Sequence, residues 1–230
     1  MLKLEQALIA QGDFQMRADF TLEAGRKYAV IGPSGAGKST LLSAICGFVP
    51  LAFGRMLWAG VDITEIPPGA RQMTMLFQDN NLFPHLSVLQ NVGLGLRPDL
   101  RLNSKEREQV EHALARVDLV QFADAKPGNL SGGQQSRVAL ARVLVQARPL
   151  VLLDEPFAAL GPALRNEMLD LVQDTVAQTG AAMVMVTHAP EDVRRIADEV
   201  IFVEGGKAHA PRPAAVLMDD PPPELRAYLG

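Results

Sequence analysis

Gly32-Pro33-Ser34-Gly35-Ala36-Gly37-Lys38-Ser39-Thr40 has the residue types and spacing needed to hold a phosphate chain, and fits G-x-x-x-x-G-K-[ST] without a mismatch. Glycines at 32, 35 and 37 let successive backbone N–H groups converge on phosphate oxygens. Lys38 then reaches the terminal phosphates, and the Ser39 hydroxyl is suited to Mg²⁺. A second constellation follows about 115 residues after Ser39, where the apolar run Leu150-Val151-Leu152-Leu153 ends in Asp154 and Glu155. Next to a phosphate loop, Asp154 is suited to the Mg²⁺ shell and Glu155 to taking the proton of an attacking water. On its own, an apolar strand ending in two acids fits a solvated strand end equally well. The two motifs together imply a nucleotide and Mg²⁺.

Each motif requires elements to hold it. Residues 28–31 form a short apolar run ahead of the loop, and Leu41, Leu42 and Ile45 recur at helical spacing after it. Further apolar runs at 73–77, 150–153, 183–186 and 200–203 lack alternation, which is the pattern of strands buried on both faces. Helical periodicity lies between them, for instance at Leu164, Met168, Leu171 and Val172, as parallel strands with crossover helices require. The first 25 residues alternate loosely, with Leu2, Leu4, Phe20 and Leu22, and read as an antiparallel edge layer. Between Gln78 and Pro149 the patterns are helical. Ser104 reads as the cap of a helix with Val110, Ala113, Leu114 and Val117 on one face, and Ser131 as the cap of a second. Residues 211–223 read as an irregular Pro-rich cover followed by a short final helix. The expected architecture is α/β: a P-loop NTPase (RecA-like) parallel core, an antiparallel β edge layer and an inserted α-helical subdomain. Residues 1–230 form one domain, with 1–78 and 149–230 as the nucleotide-binding core and 79–148 as the insertion.

Composition narrows the partners. At 230 residues the chain is long enough to bury a full α/β core, and its net charge of −4 offers no basic field, so no nucleic-acid partner is expected. The one cysteine, Cys46, has no second thiol to pair with and reads as a small core residue. There is no apolar run of membrane-spanning length, and the start lacks a signal-peptide core, so a cytoplasmic protein is expected.

Leu130-Ser131-Gly132-Gly133-Gln134, added to the motifs above, resembles the signature motif of ABC-transporter ATPases. The resemblance implies that Ser131, Gly132, Gly133 and Gln134 contact the γ-phosphate held by a partner subunit, so that the working unit is a homodimer. It implies that Gln78 senses Mg²⁺ and the attacking water, and that His188 contacts the γ-phosphate. It also implies transmembrane permease subunits, a periplasmic solute-binding protein in the same complex, and a peripheral location on the cytoplasmic face of the inner membrane. Leu82, Phe83 and Leu86 are then candidates for the groove that receives a permease helix, with packing of the insertion onto the core as the other reading.

Some residues depart from the family pattern. Gly161 stands where relatives carry an aspartate, Gln11 lies where an aromatic residue usually stacks on adenine, and Gln135-Ser136 replaces a more usual basic and polar pair. Phe14, the nearest aromatic, fits either adenine stacking or ordinary packing. Residues 77–88 resemble importers. Residues 1–4, 75–96 (with Asn80-Asn81 and Gly93-Leu94-Gly95-Leu96) and 157–169 are similar to the ATP-binding subunit of the thiamine and thiamine pyrophosphate importer. Importers of ferric iron, sulfate or molybdate, or less readily a non-transport ABC ATPase, are the alternatives. The β-rich C-terminal domain of many sugar and polyamine importer ATPases is not expected here.

Overall fold

The computed structural model describes residues 1–158 and 160–229. Its centre is a parallel sheet of β9 (Glu199–Glu204), β3 (Lys27–Ile31), β8 (Ala182–Val186), β7 (Leu150–Asp154) and β6 (Met73–Leu76), in that spatial order. Every residue of β7 and β8 is buried, as their unbroken apolar sequences require. Leu150 and Leu152 face one side and pack with Leu41, Leu42 and Ile45 of α1 (Lys38–Cys46). Val151 and Leu153 face the other, against Met168, Leu169 and Val172 of α5 (Pro162–Thr179).

The antiparallel layer consists of β1 (Leu2–Gln11), β2 (Phe14–Leu22), β4 (Leu51–Trp58) and β5 (Val61–Asp62). It continues into the parallel sheet through β10 (Lys207–Ala208), which pairs with both β2 and β9. Leu2, Leu4, Ile9 and Met16 share one cluster with α1, which is therefore held between the two layers. Arg71 fastens the far end of this helix. It is only 5% exposed, and its guanidinium donates to the carbonyls of Ala44 (3.2 Å), Ile45 (2.7 Å), Thr64 (3.1 Å) and Ile66 (2.8 Å). Replacing it leaves helix-end carbonyls buried without donors. Arg71→Met is expected to cost about 3 kcal/mol of stability, read as a lower urea midpoint. An unchanged midpoint would show that water replaces the guanidinium. Cys46 is buried as expected, and burial pushes its thiol up to about 12, so it is a packing residue.

Between β6 and β7 lie α2 (Val88–Gly93), α3 (Ser104–Arg116) and α4 (Gly132–Leu144), which share a hydrophobic cluster of Val88, Val92, Val110, Leu114 and Val138. Two expectations are corrected. The cap of α3 is Asn103, with Ser104 the first helical residue: Asn103 Oδ1 accepts from Glu106 N, and Glu106 accepts from Asn103 N, both at 2.9 Å. A cap at Ser104 would put Arg107, which has no acceptor, in the reciprocal position. The Pro-rich C-terminal stretch is more regular than expected. After α6 (Pro190–Ile196), β11 (Arg212–Pro213) pairs with β9, and α7 (Ala214–Asp219) and α8 (Pro223–Leu229) follow. Ala214, Leu217, Met218 and Leu225 cover Ile31, Val200 and Phe202.

Candidate active site

In an open parallel sheet the carboxyl ends of all strands meet at one edge, and ligands bind there. The phosphate loop follows β3, Thr187-His188 follows β8, Asp154-Glu155 closes β7 and Gln78 lies beyond β6. Strand order therefore puts the loop, His188 and the two acids side by side. Gln78 lies three strand spacings from the loop, roughly 14 Å.

The loop is shaped by close approach. Gly32 has φ +152°, and a Cβ there would lie 2.0 Å from the Val203 carbonyl oxygen. Gly37 caps α1 at φ +98°, and a Cβ there would strike the Phe14 ring at 2.2 Å. Phe14 opens β2 directly after the turn from Gln11, so the hairpin tip is laid against the loop. Lys38 Nζ donates to the carbonyls of Gly32 (2.8 Å) and Pro33 (2.9 Å). Burial lowers the pKa of Lys38, and the charges of Glu155 and Asp154 oppose that shift.

Ser39 Oγ donates to Asp154 Oδ1 at 3.0 Å. Burial raises the Asp154 pKa and the neighbouring Glu155 adds to this, while the Ser39 bond and Lys38 work against it. Glu155 leaves the strand with φ +46°, a left-handed conformation that costs a non-glycine residue energy and turns the chain so that the second acid also faces the loop. Its N–H still donates to Val186 O at 3.2 Å. Glu155 Oε1 lies 2.7 Å from His188 Nε2, which donates to the carboxylate when that nitrogen carries the proton. Gln11, Phe14, Lys38, Ser39, Glu155 and His188 line a concavity of about 400 Å³ together with loop residues. Of the proposed residues, the phosphate loop, Asp154, Glu155 and His188 are brought together.

Gln78 is exposed beyond β6 and does not line this concavity. The signature residues lie elsewhere, at the start of α4. Ser131 is its cap, with Oγ accepting from Gln134 N (3.3 Å) and Gln134 Oε1 accepting from Ser131 N (2.9 Å). Ser131 and Gly132 are exposed, so the donors of this helix start face outward. The turn after Gln78 is tied to α4. Arg142 donates to the carbonyls of Asn80 (2.6 Å) and Asn81 (2.8 Å), and Asn80 Nδ2 donates to Ser136 Oγ at 3.2 Å. Sequence reasoning did not single out Arg165, Thr187 and Asp192, which are hydrogen-bonded together behind His188. The only local signal is a threonine before the histidine and an acid five residues on.

A backbone cradle for phosphates, two acids at a strand end and a histidine beside them define a P-loop nucleotide hydrolase. Comparison with known proteins makes the class specific. Residues 16–158 match the ABC transporter family. The thiamine import ATP-binding protein ThiQ of Cereibacter sphaeroides is 60% identical over 230 residues, all of both chains. That of a Ruegeria species is 56% identical over the same extent, and that of Brucella suis 48%, across this whole chain and 95% of its own. The ATP-binding cassette MJ0796, solved as a dimer in a post-hydrolysis state with ADP and Pi, is 28% identical with a TM-score of 0.80. That match spans 93% of this chain and 99% of the other. The cassette MJ1267, 24% identical with a TM-score of 0.86 over 100% of this chain and 99% of its own, shares the fold. The chain belongs to the ABC transporter family as an ATP-binding cassette. It binds ATP and is an ATPase.

Proposed function

We propose that this chain is the ATP-hydrolysing subunit of a thiamine importer, working as a homodimer at the cytoplasmic face of the inner membrane. The observation that carries the two-chain reading is the separation within one chain: the phosphate loop, Glu155 and His188 share a concavity, whereas the signature turn at Ser131 faces outward from another subdomain. Two chains facing each other complete two sites, each with the loop of one and the signature turn of the other. The cargo reading rests on relatives named for thiamine import across their whole length.

In this mechanism Lys38 and the loop N–H groups hold the triphosphate. Glu155 takes the proton of the attacking water, and His188, hydrogen-bonded to Glu155, contacts the γ-phosphate. Mg²⁺ would be held by Ser39 and Asp154; Gln78, exposed beyond β6 and outside the concavity, would have to move toward them to join. The donor set fits: two hard oxygens 3.0 Å apart, one a carboxylate, suit an ion that takes few protein ligands and completes its shell with phosphate and water. When bound, Mg²⁺ neutralises charge building on the β- and γ-phosphate oxygens. Burial favours the neutral form of Asp154, and a cation held there would favour the ionised form.

No described helix is long and apolar enough to cross a membrane, so this reading assigns the pore to a separate permease fed by a periplasmic solute-binding protein. The permease would dock at the loop before α2, where Phe83 is exposed and Leu82 and Leu86 are half-buried. The buried Asn91 shapes this loop, accepting from Phe83 N (2.8 Å) and donating to the carbonyls of Phe83, Leu86 and Ser87. Cells lacking this gene should lose uptake of labelled thiamine at nanomolar concentration and regain it with the wild-type chain but not with Lys38→Ala. Unchanged uptake in the deletion strain would overturn the cargo while leaving the ATPase in place.

A further inference from the structure

The segment carrying His188 is closed around a single oxygen. Thr187 Oγ1 accepts from Ala189 N at 3.1 Å and donates to Asp192 Oδ2 at 2.7 Å, so the residues before and after His188 are tied together and anchored to α6. Thr187 and Asp192 are each 4% exposed. The charge of Asp192 is met by Arg165 in the first turn of α5, whose Nε lies 3.2 Å from the same carboxylate oxygen and whose Nη2 also bonds it. Arg165 also reaches Thr187 Oγ1 at 3.4 Å. A buried carboxylate is costly unless paired and hydrogen-bonded, and here both pairings converge on the turn that bears the histidine. A cavity of about 210 Å³, lined by Glu155, His188, Arg165 and Asp192 among others, lies on this side of the imidazole. The Thr187 bonds hold the backbone on either side of the ring where Nε2 meets Glu155 Oε1 at 2.7 Å.

We propose that Asp192, held by Arg165 and acting through the Thr187 hydroxyl, is a positioning residue that sets His188 against Glu155 for hydrolysis. This rests on the role given to His188 above. Misplacing a catalytic group by about 1 Å costs on the order of 10²-fold in rate. The loss should fall on kcat, because none of the three residues lines the concavity around the phosphate loop.

The test measures kcat, KM and nucleotide Kd on the full-length chain with Mg-ATP. Thr187→Val and Asp192→Asn are expected to lower kcat about 10- to 100-fold with Kd within about threefold. Thr187→Ser, which keeps the hydroxyl, should restore kcat to near the wild-type value. In a His188→Ala background, Asp192→Asn should cause no further loss, since a residue acting through His188 has nothing left to position. An equal loss from Asp192→Asn with and without His188 would overturn the inference, as would a normal kcat in Thr187→Val. The threonine pair decides the matter even if Asp192→Asn does not fold. A normal kcat in His188→Ala would overturn the reading of His188 as well, which separates the two failures.

Discussion

A Glu155→Gln chain is expected to hydrolyse ATP about 10²–10⁴-fold more slowly than the parent while still binding it. With ATP and Mg²⁺ it should run as a dimer in size-exclusion chromatography. The amide has the shape of the carboxylate and an oxygen that can accept from His188 Nε2, now 2.7 Å from Glu155 Oε1, so the local geometry has a replacement bond. What the amide cannot do is take a proton from water. Binding should not suffer, because Glu155 shares its concavity with Lys38 and the loop, and one fewer negative charge there lessens repulsion of the triphosphate. Loss of turnover without loss of binding leaves ATP held between two chains. Turnover at the parental rate would move the base elsewhere, and a chain that remains monomeric with ATP would argue against sites shared between subunits.

Much of this arrangement was legible because its requirements are local. The runs at 150–153 and 183–186 are apolar at every position, and β7 and β8 extend them by one residue. The phosphate loop was legible because Gly32 and Gly37 occupy positions where a Cβ would strike Val203 or Phe14. β4 was not anticipated. Met56 is its one buried residue, so the strand has no clear alternation and owes its place to pairing with β1. Contacts between distant residues were equally hidden. Arg71 meets Ala44 and Ile45, Arg142 meets Asn80 and Asn81, and Arg165 meets Asp192 only once the strands are ordered.

The departures at Gln135, Ser136 and Gly161 have local accounts. Gln135 donates to the carbonyls of Pro127 (3.1 Å) and Leu130 (3.2 Å), fixing the turn before the signature residues. Ser136 accepts from Asn80 and donates to Gly132 O at 3.2 Å, linking the turn after Gln78 to the start of α4. Gly161 is the cap of α5, with φ −66° and no side chain to accept from the first turn, and Pro162 follows it. An aspartate there would supply the missing acceptor, so α5 begins on Pro162 and its packing alone. Ala159, earlier in that stretch, lies outside the described residues.

Lys38→Ala should act on the opposite quantity, weakening nucleotide binding about 10²–10³-fold, or about 3–4 kcal/mol. Lys38 is 5% exposed, and two of its three N–H donors go to Gly32 O and Pro33 O, so the ammonium is held at the centre of the loop. Asp154 and Glu155 are the charges that oppose the lowering of its pKa by burial. Removing the ammonium therefore leaves two carboxylates without their nearby cation just where a triphosphate must settle, and the repulsion adds to the lost attraction. The fold should survive, since Gly37 and Gly47 still cap α1 and Arg71 still fastens its end. A nucleotide titration with an unfolding curve on the same sample separates the two quantities. A Kd within threefold of the parent would show that the backbone N–H groups hold the phosphates without the lysine.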